Sequence, residues 1–267
     1  MPMRRFVFAV SALVAISPLS QASDAEDDGT FSWFLEAGAG RFTGDYGLDE
    51  DTTVDLLNFN ARWYLPRAEL QLSVPYLRID GPADVRFIGG QPVAIPGEGE
   101  TRTESGLGDL VLQGEYYLRM ATESGPWVIG LLRYKVPTGD EDRGLGTGSA
   151  DVEAGLGLIQ SHGPVNWLAD VGYTRVGSSA SFELQDVWRV GAGVAMSFGP
   201  NDRYNGYVYL ENRTNMVRDS DDRRSLALGL GTSLDRAQRV RVSASLFFGL
   251  SDSAEDVGVY VTLGRRI

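Results

Sequence analysis

Residues 188–198 read Trp188-Arg189-Val190-Gly191-Ala192-Gly193-Val194-Ala195-Met196-Ser197-Phe198. Trp188, Val190, Ala192, Val194, Met196 and Phe198 share one parity, and Arg189, Gly191, Gly193 and Ser197 share the other. Successive side chains of a strand point to opposite faces, so the stretch predicts a strand with one apolar and one polar face. The apolar face begins and ends on an aromatic ring. Ten residues at about 3.3 Å each, tilted by about 40°, span on the order of 25 Å, the height of the apolar band of a transmembrane barrel. The other face carries an arginine, which is prohibitively costly in a dry core and tolerable in a wet lumen.

The alternation recurs along the chain in segments 31–43, 54–65, 69–80, 106–120, 126–137, 150–160, 165–176, 183–198, 203–214, 224–234, 238–250 and 257–267. No segment carries a helix-period stripe. The connections near 66–68, 121–125, 161–164, 199–202 and 235–237 are short, with Pro66, Gly125, Gly163, Pro164, Gly199 and Pro200 as turn residues. Those near 44–53, 81–105 and 138–149 are long, and 177–182, 215–223 and 251–256 are modest. Short periplasmic turns alternating with longer outer loops are the pattern of an outer-membrane barrel, whereas a soluble sandwich has no reason to sort its loops by parity. Tyr76, Tyr134, Tyr173 and Trp188 fall near the outer ends of the apolar faces, and Trp63, Trp167, Phe198 and Tyr204 near the periplasmic ends. The predicted fold is therefore all-β, a single transmembrane antiparallel barrel of about twelve strands with both termini periplasmic. One local rule is broken: Pro75 lies inside the third strand and removes a ladder donor, which predicts a bulge.

Residues 1–22 read as a secretory signal: Arg4 and Arg5, an apolar run from Phe6 to Ile16, then the small-x-small site Ser20-Gln21-Ala22. The run is shorter than the roughly 20 residues a membrane anchor needs. Domain organisation is then a signal at 1–22 and one barrel domain at 23–267. The whole chain has a formal net charge of −12 and no cysteine, so disulfides and thiol chemistry are excluded. So acidic a chain has no broad electrostatic reason to bind nucleic acid. The carboxylates concentrate in the outer loops, which face lipopolysaccharide and solvent. At the C-terminus, alternating Val257 to Leu263 and a hydrophobic last residue resemble the signal recognised by the barrel-assembly machinery. That signal usually ends in Phe, and Ile267 departs from it. Outer-membrane lipid and a small-molecule solute are the remaining expected partners.

No catalytic residues, cofactor or metal site are expected. The one histidine, His162, falls in a periplasmic turn, on the wrong side for the Ser-His pair of a barrel lipid hydrolase. Asp219-Ser220-Asp221-Asp222 lacks the spacing and glycine of a calcium loop. Gly144-x-Gly146-x-Gly148 suggests a phosphate cradle, but a period-2 segment follows it in place of a helix. The stronger candidates are side chains of inward parity: Arg62, Glu115, Tyr117, Arg119, Arg133, Lys135, Glu153, Asp170, Arg189, Tyr207, Tyr209, Glu211, Arg213, Arg239 and Arg241. They predict either a narrow charged pore for small solutes or, if the charges cross-link the walls, a non-conducting barrel with a structural or surface-interaction role.

Three short motifs follow one another: Ser105-Gly106-Leu107-Gly108-Asp109-Leu110, Lys135-Val136-Pro137-Thr138-Gly139-Asp140 and Gly146-Thr147-Gly148-Ser149-Ala150-Asp151. They resemble the GxGD, K-x-P-T-G-D and GTG-x-x-D series of the outer-membrane proteins grouped as putative MetA-pathway of phenol degradation transporters. Gly106, Gly108, Asp109, Lys135, Pro137, Thr138, Gly139, Asp140, Gly146, Gly148 and Asp151 carry the resemblance, and Val74-Pro75-Tyr76 also fits. The resemblance implies an outer-membrane barrel that takes up aromatic or other small organic compounds.

Overall fold

The computed structural model describes residues 5–7, 20–22 and 32–267, apart from 83–84, 89–90, 95–100, 121–124, 179–182, 219, 236 and 238. Apart from a short pairing of Arg5–Val7 with Ser20–Ala22, the expected signal lies outside the described residues.

The strands are β1 (Ser32–Gly44), β2 (Thr52–Tyr64), β3 (Ala68–Pro82), β4 in two pieces (Thr101–Leu107 and Leu110–Arg119), β5 (Trp127–Val136) and β6 (Asp151–His162). They continue as β7 (Val165–Arg175), β8 (Val187–Phe198), β9 (Tyr204–Arg213), β10 (Arg223–Ser233), β11 (Val240–Gly249) and β12 (Val257–Arg266). Each pairs antiparallel with its neighbours in sequence, and β12 pairs with β1 from Val257↔Thr43 to Arg266↔Phe34. The twelve strands thus close into a barrel, which removes every open sheet edge from the lipid. All twelve coincide with the expected segments. The third and fourth run farther out than their alternation suggested, to Pro82 and Thr101.

Burial follows the period. On β8, Arg189, Gly191 and Ala195 are enclosed while Trp188, Val190 and Met196 are exposed. The exposed large apolar residues stand around the outside of the wall, as expected of a lipid-facing surface. Rings of the two expected belts meet across strands: Tyr173 and Trp188 at 4.9 Å near the ends that carry the longer connections, labelled outer after the expected orientation, and Phe198 and Tyr204 at 5.7 Å near the opposite ends, labelled periplasmic. Trp33 stacks on Trp63 at 5.6 Å in the periplasmic belt.

The bulge expected at Pro75 lies on the partner strand. In an antiparallel ladder a residue's N–H and C=O point to the same neighbour. The Pro75 carbonyl accepts from Gly108 N at 3.0 Å, so the missing Pro75 donor faces β4. There β4 is interrupted at Gly108–Asp109, and its register on β3 shifts by one residue between Tyr76↔Leu107 and Ser73↔Val111. The unmatched rung therefore falls where the ladder is already open.

Leu132 on β5 is 59% exposed at mid-strand. An arginine there should cost roughly 2–4 kcal/mol at the bilayer midplane, read by urea unfolding in lipid vesicles, while Leu132→Phe should be nearly neutral.

Candidate functional site

The candidate site is the barrel interior and its outer mouth. Inside, charged and amide side chains form a connected chain. Near the outer end, Arg189 contacts Glu153 at 3.0 Å and pairs with Asp170, which also accepts from the Tyr209 hydroxyl. Glu211 lies 3.9 Å from Arg189 and 4.0 Å from Arg213. Arg133 bridges inward, pairing with Glu153 at 2.6 Å and donating to Gln113 at 3.1 Å. Gln113 donates to Glu115 at 2.9 Å, and Glu115 stands directly opposite Glu69 across the β3–β4 ladder. Glu69 pairs with Arg62 at 3.0 Å. Arg62 donates to Gln71, Gln71 and Ser73 donate to Asn60, and Asn60 donates to Glu36. The chain runs diagonally, from the outer ends of β5–β9 to the periplasmic ends of β1–β3.

Apolar residues fill the complementary diagonal. Phe42, Val54, Leu56, Leu77, Ile79, Phe247 and Tyr260 cluster at the outer end against β1–β3, β11 and β12. Tyr117, Trp127, Ile129, Ile159, Leu168 and Ala195 cluster at the periplasmic end of β4–β8. Inward rings lie flat along the wall where the neighbouring strand has glycine. A Cβ on Gly191 would collide with the Tyr209 ring, and one on Gly229 with the Tyr207 ring. The glycines thereby keep two large side chains off the barrel axis.

Of the residues selected from sequence, Arg62, Glu115, Tyr117, Lys135, Glu153, Asp170, Arg189, Tyr209, Glu211, Arg213 and Arg241 are buried inside, and Arg133 and Tyr207 nearly so. Arg119 and Arg239 are not brought to the chain. They sit at strand ends, exposed, because parity carries no information where the strand stops. Sequence reasoning missed Glu36 and Glu69 on the inner face, and the buried pair Arg223–Glu255 at the mouth. Inward parity was a usable signal for Glu36 and Glu69. Glu255 lies on a loop, where parity says nothing.

The three motifs meet at the outer mouth. Lys135 Nζ lies 3.0 Å from Asp109 Oδ2, 2.9 Å from Asp151 Oδ2 and 2.5 Å from Thr147 Oγ1. The other oxygen of Asp109 accepts from Gly139 N at 2.9 Å, and that of Asp151 from Gly177 N at 2.9 Å. Thr138 donates to the Gly108 carbonyl and accepts from Leu110 N. A Cβ on Gly146 would lie 2.6 Å from Asp109 Oδ1, and one on Gly139 would strike the Leu145 carbonyl. The glycines that suggested a phosphate cradle therefore close the loop tightly around a buried lysine. They also turn the loop inward. Leu145 is 1% exposed and belongs to the outer apolar cluster.

A hairpin of Val85–Ile88 and Gln91–Ala94 lies over the same mouth. Phe87 joins the outer cluster and its N–H donates to the Gly144 carbonyl at 2.9 Å. Val93 packs with Val187 and Met216 on the other side. Loop and hairpin together cover the entrance.

Replacing Lys135 by Gln leaves two buried carboxylates facing each other. It should cost about 3–5 kcal/mol, measured by thermal unfolding in detergent, and substituting both aspartates by Asn in the same protein should recover part of that loss.

The model of the Putative MetA-pathway of phenol degradation family matches residues 20–267, so the chain belongs to that family. No curated protein matches the sequence. Among solved structures, the COG4313 outer membrane channel from Pseudomonas putida F1 is 14% identical, with 91% of this chain and 99% of that one covered at a TM-score of 0.67. The KdgM porin is 7% identical, covering 86% of this chain and 98% of its own at a TM-score of 0.52. The NanC porin is 9% identical, covering 86% and 97% at 0.51. These likenesses bear out the outer-membrane type of barrel.

Proposed function

We propose that this member of the Putative MetA-pathway of phenol degradation family is a passive outer-membrane channel for small solutes. The observation that carries the reading is the polar chain through the interior. A purely structural barrel gains little from burying charges, since well-packed apolar residues serve as well or better. Here ionised groups and amides extend from the outer mouth to the periplasmic end. Among the described residues Glu69 Oε2 and Glu115 Oε2 have no hydrogen-bond donor. Buried oxygens of that kind are satisfied by water, so the chain marks a wet path. Small organic solutes are the class to which the family's description points. No catalytic step is assigned to any residue. The chain is exported by residues 1–22, inserts through the barrel-assembly machinery and sits in outer-membrane lipid with both termini periplasmic. Mass spectrometry of the membrane form should then find Ser23 as its first residue.

In the described state the entrance is covered, so the channel opens by displacing Leu145 and the hairpin. In planar bilayers the protein should give discrete conductance steps. Leu145→Ala should raise the open fraction, and Arg133→Gln should shift selectivity toward cations by removing a guanidinium from the path. A folded barrel that stays silent in both wild-type and Leu145→Ala forms would sink the channel reading. It would favour the second reading, a non-conducting surface barrel, which the covered mouth supports.

A further inference from the structure

We propose that the outside of the wall holds a binding site for one anionic phospholipid. Its acyl chain lies in a groove across the seam between β12 and β1, and its phosphate meets Arg265. The leaflet follows from the orientation proposed above. The site itself depends neither on that orientation nor on whether the lumen conducts.

The groove measures about 630 Å³ and opens on the lipid-facing surface. The register explains it. Across the seam, one row of lipid-facing residues reads Val240, Arg265, Leu35, Ala61 and Leu72. The next row toward the bilayer centre reads Val242, Leu263, Ala37, Phe59 and Val74. Ala61 and Ala37 are diagonal neighbours, and each is set between larger side chains. The wall is therefore dented along that diagonal. A dent with nothing in it costs its lining the dispersion contacts of one side, and a flexible acyl chain can supply them.

Arg265 is the independent sign of a head group. It stands at the edge of the groove, exposed on the lipid-facing parity of β12, with no ion-pair partner among the described residues. Its cross-strand partners are Val240 and Leu35, so no carboxylate faces it on either side. The stacked pair Trp33 and Trp63 lies one rung farther toward the periplasmic end. Arg265 thus leaves the wall on the hydrocarbon side of the aromatic girdle, where a lipid-facing charge costs more than at the interface. A phosphodiester removes that cost, because a guanidinium fork can donate two parallel hydrogen bonds to it. Arg239 and Arg266 lie at the same end of the seam, where Asp235 accepts from Val240 N. The described side chains there carry more positive than negative charge, which favours an anionic lipid over a zwitterionic one.

A second copy of the barrel, docked through the same face, answers the groove less well. The acidic residues of lipid-facing parity on β1–β3 are Asp55 and Asp80, at the outer ends beside Arg41 and Arg78. A two-fold contact of this face with itself therefore brings Arg265 no carboxylate. A bound lipid would also span the one junction of the wall that no turn connects, since β12 and β1 meet through their ladder alone.

The test is native mass spectrometry of the folded protein, released from detergent after incubation with equal amounts of dioleoyl phosphatidylglycerol and dioleoyl phosphatidylcholine. One phosphatidylglycerol per barrel should be retained, about tenfold in preference to phosphatidylcholine. Arg265→Gln should bring that ratio close to one, and Arg265→Lys should keep part of it. Arg119→Gln, exposed at the same end and outside the groove, should leave it unchanged. Ala37→Leu combined with Ala61→Leu should fill the dent and reduce retention of both lipids. Heat-modifiable migration in gels checks that each variant is folded. Equal retention of the two lipids, no retained lipid, a preference that survives Arg265→Gln in a folded barrel, or a protein dimer in place of the lipid adduct overturns the proposal.

Discussion

The interior depends on one constraint: every charge that faces inward must find an opposite charge or water, because burial takes it out of bulk solvent. Arg62 and Arg189, each 2% exposed, meet this demand through carboxylates on neighbouring strands. Removing one member of such a pair leaves an uncompensated buried charge, which costs far more than the pair itself contributes. The pairs consequently couple strands to one another. Arg133 on β5 links Gln113 on β4 with Glu153 on β6, and Arg189 on β8 reaches Glu153 on β6 and Asp170 on β7. Register errors would break several pairs at once, so the same contacts that shape the lumen also specify the order of the wall.

Pairing fails on one rung of the β3–β4 ladder. Glu69 and Glu115 are direct cross-strand partners, and like charges opposite one another destabilise a ladder. Arg62 compensates Glu69 from the far side of β3, while among the described residues Glu115 takes its side-chain hydrogen bond from Gln113. Two buried carboxyls so close resist ionising together, so this rung adds no fixed pair of negative charges to the interior.

Much of the fold was legible because a barrel wall enforces period 2 on nearly every residue. Trp188 to Phe198 displayed it without interruption, and the loop lengths sorted the strand ends into a short-loop end and a long-loop end. Pro75 could be recognised as a break but not assigned to a strand pair, since only the register shows that its lost donor faces Gly108. The interior charges were legible by parity and misread at Arg119 and Arg239, where the strands end. The plug was not legible at all. Leu145 is one apolar residue in an acidic, glycine-rich loop, and nothing in its neighbours says that it turns inward. Its burial follows from packing with Leu77, Ile79 and Phe87, residues far from it in sequence.

The stretch from Lys135 to Asp151 concentrates this dependence. Its lysine ends β5, its final aspartate begins β6, and the two are cross-strand partners. Asp109, at the break that Pro75 permits, supplies the second carboxylate. Gly139 and Gly146 allow the backbone to approach that carboxylate more closely than any side chain would. The motif thus uses a weakness in one ladder to anchor the loop of another. An ion pair fixes position without filling the lumen, so the loop is held at its base, while the Leu145 side chain packs on apolar neighbours and the adjacent Gly144 and Arg143 are tied to Phe87 N–H and Glu104. Apolar contacts are non-directional and can be exchanged for a solute of similar character. On the proposed channel reading, opening must therefore exchange these apolar contacts and break the polar ties of Arg143 and Gly144 together.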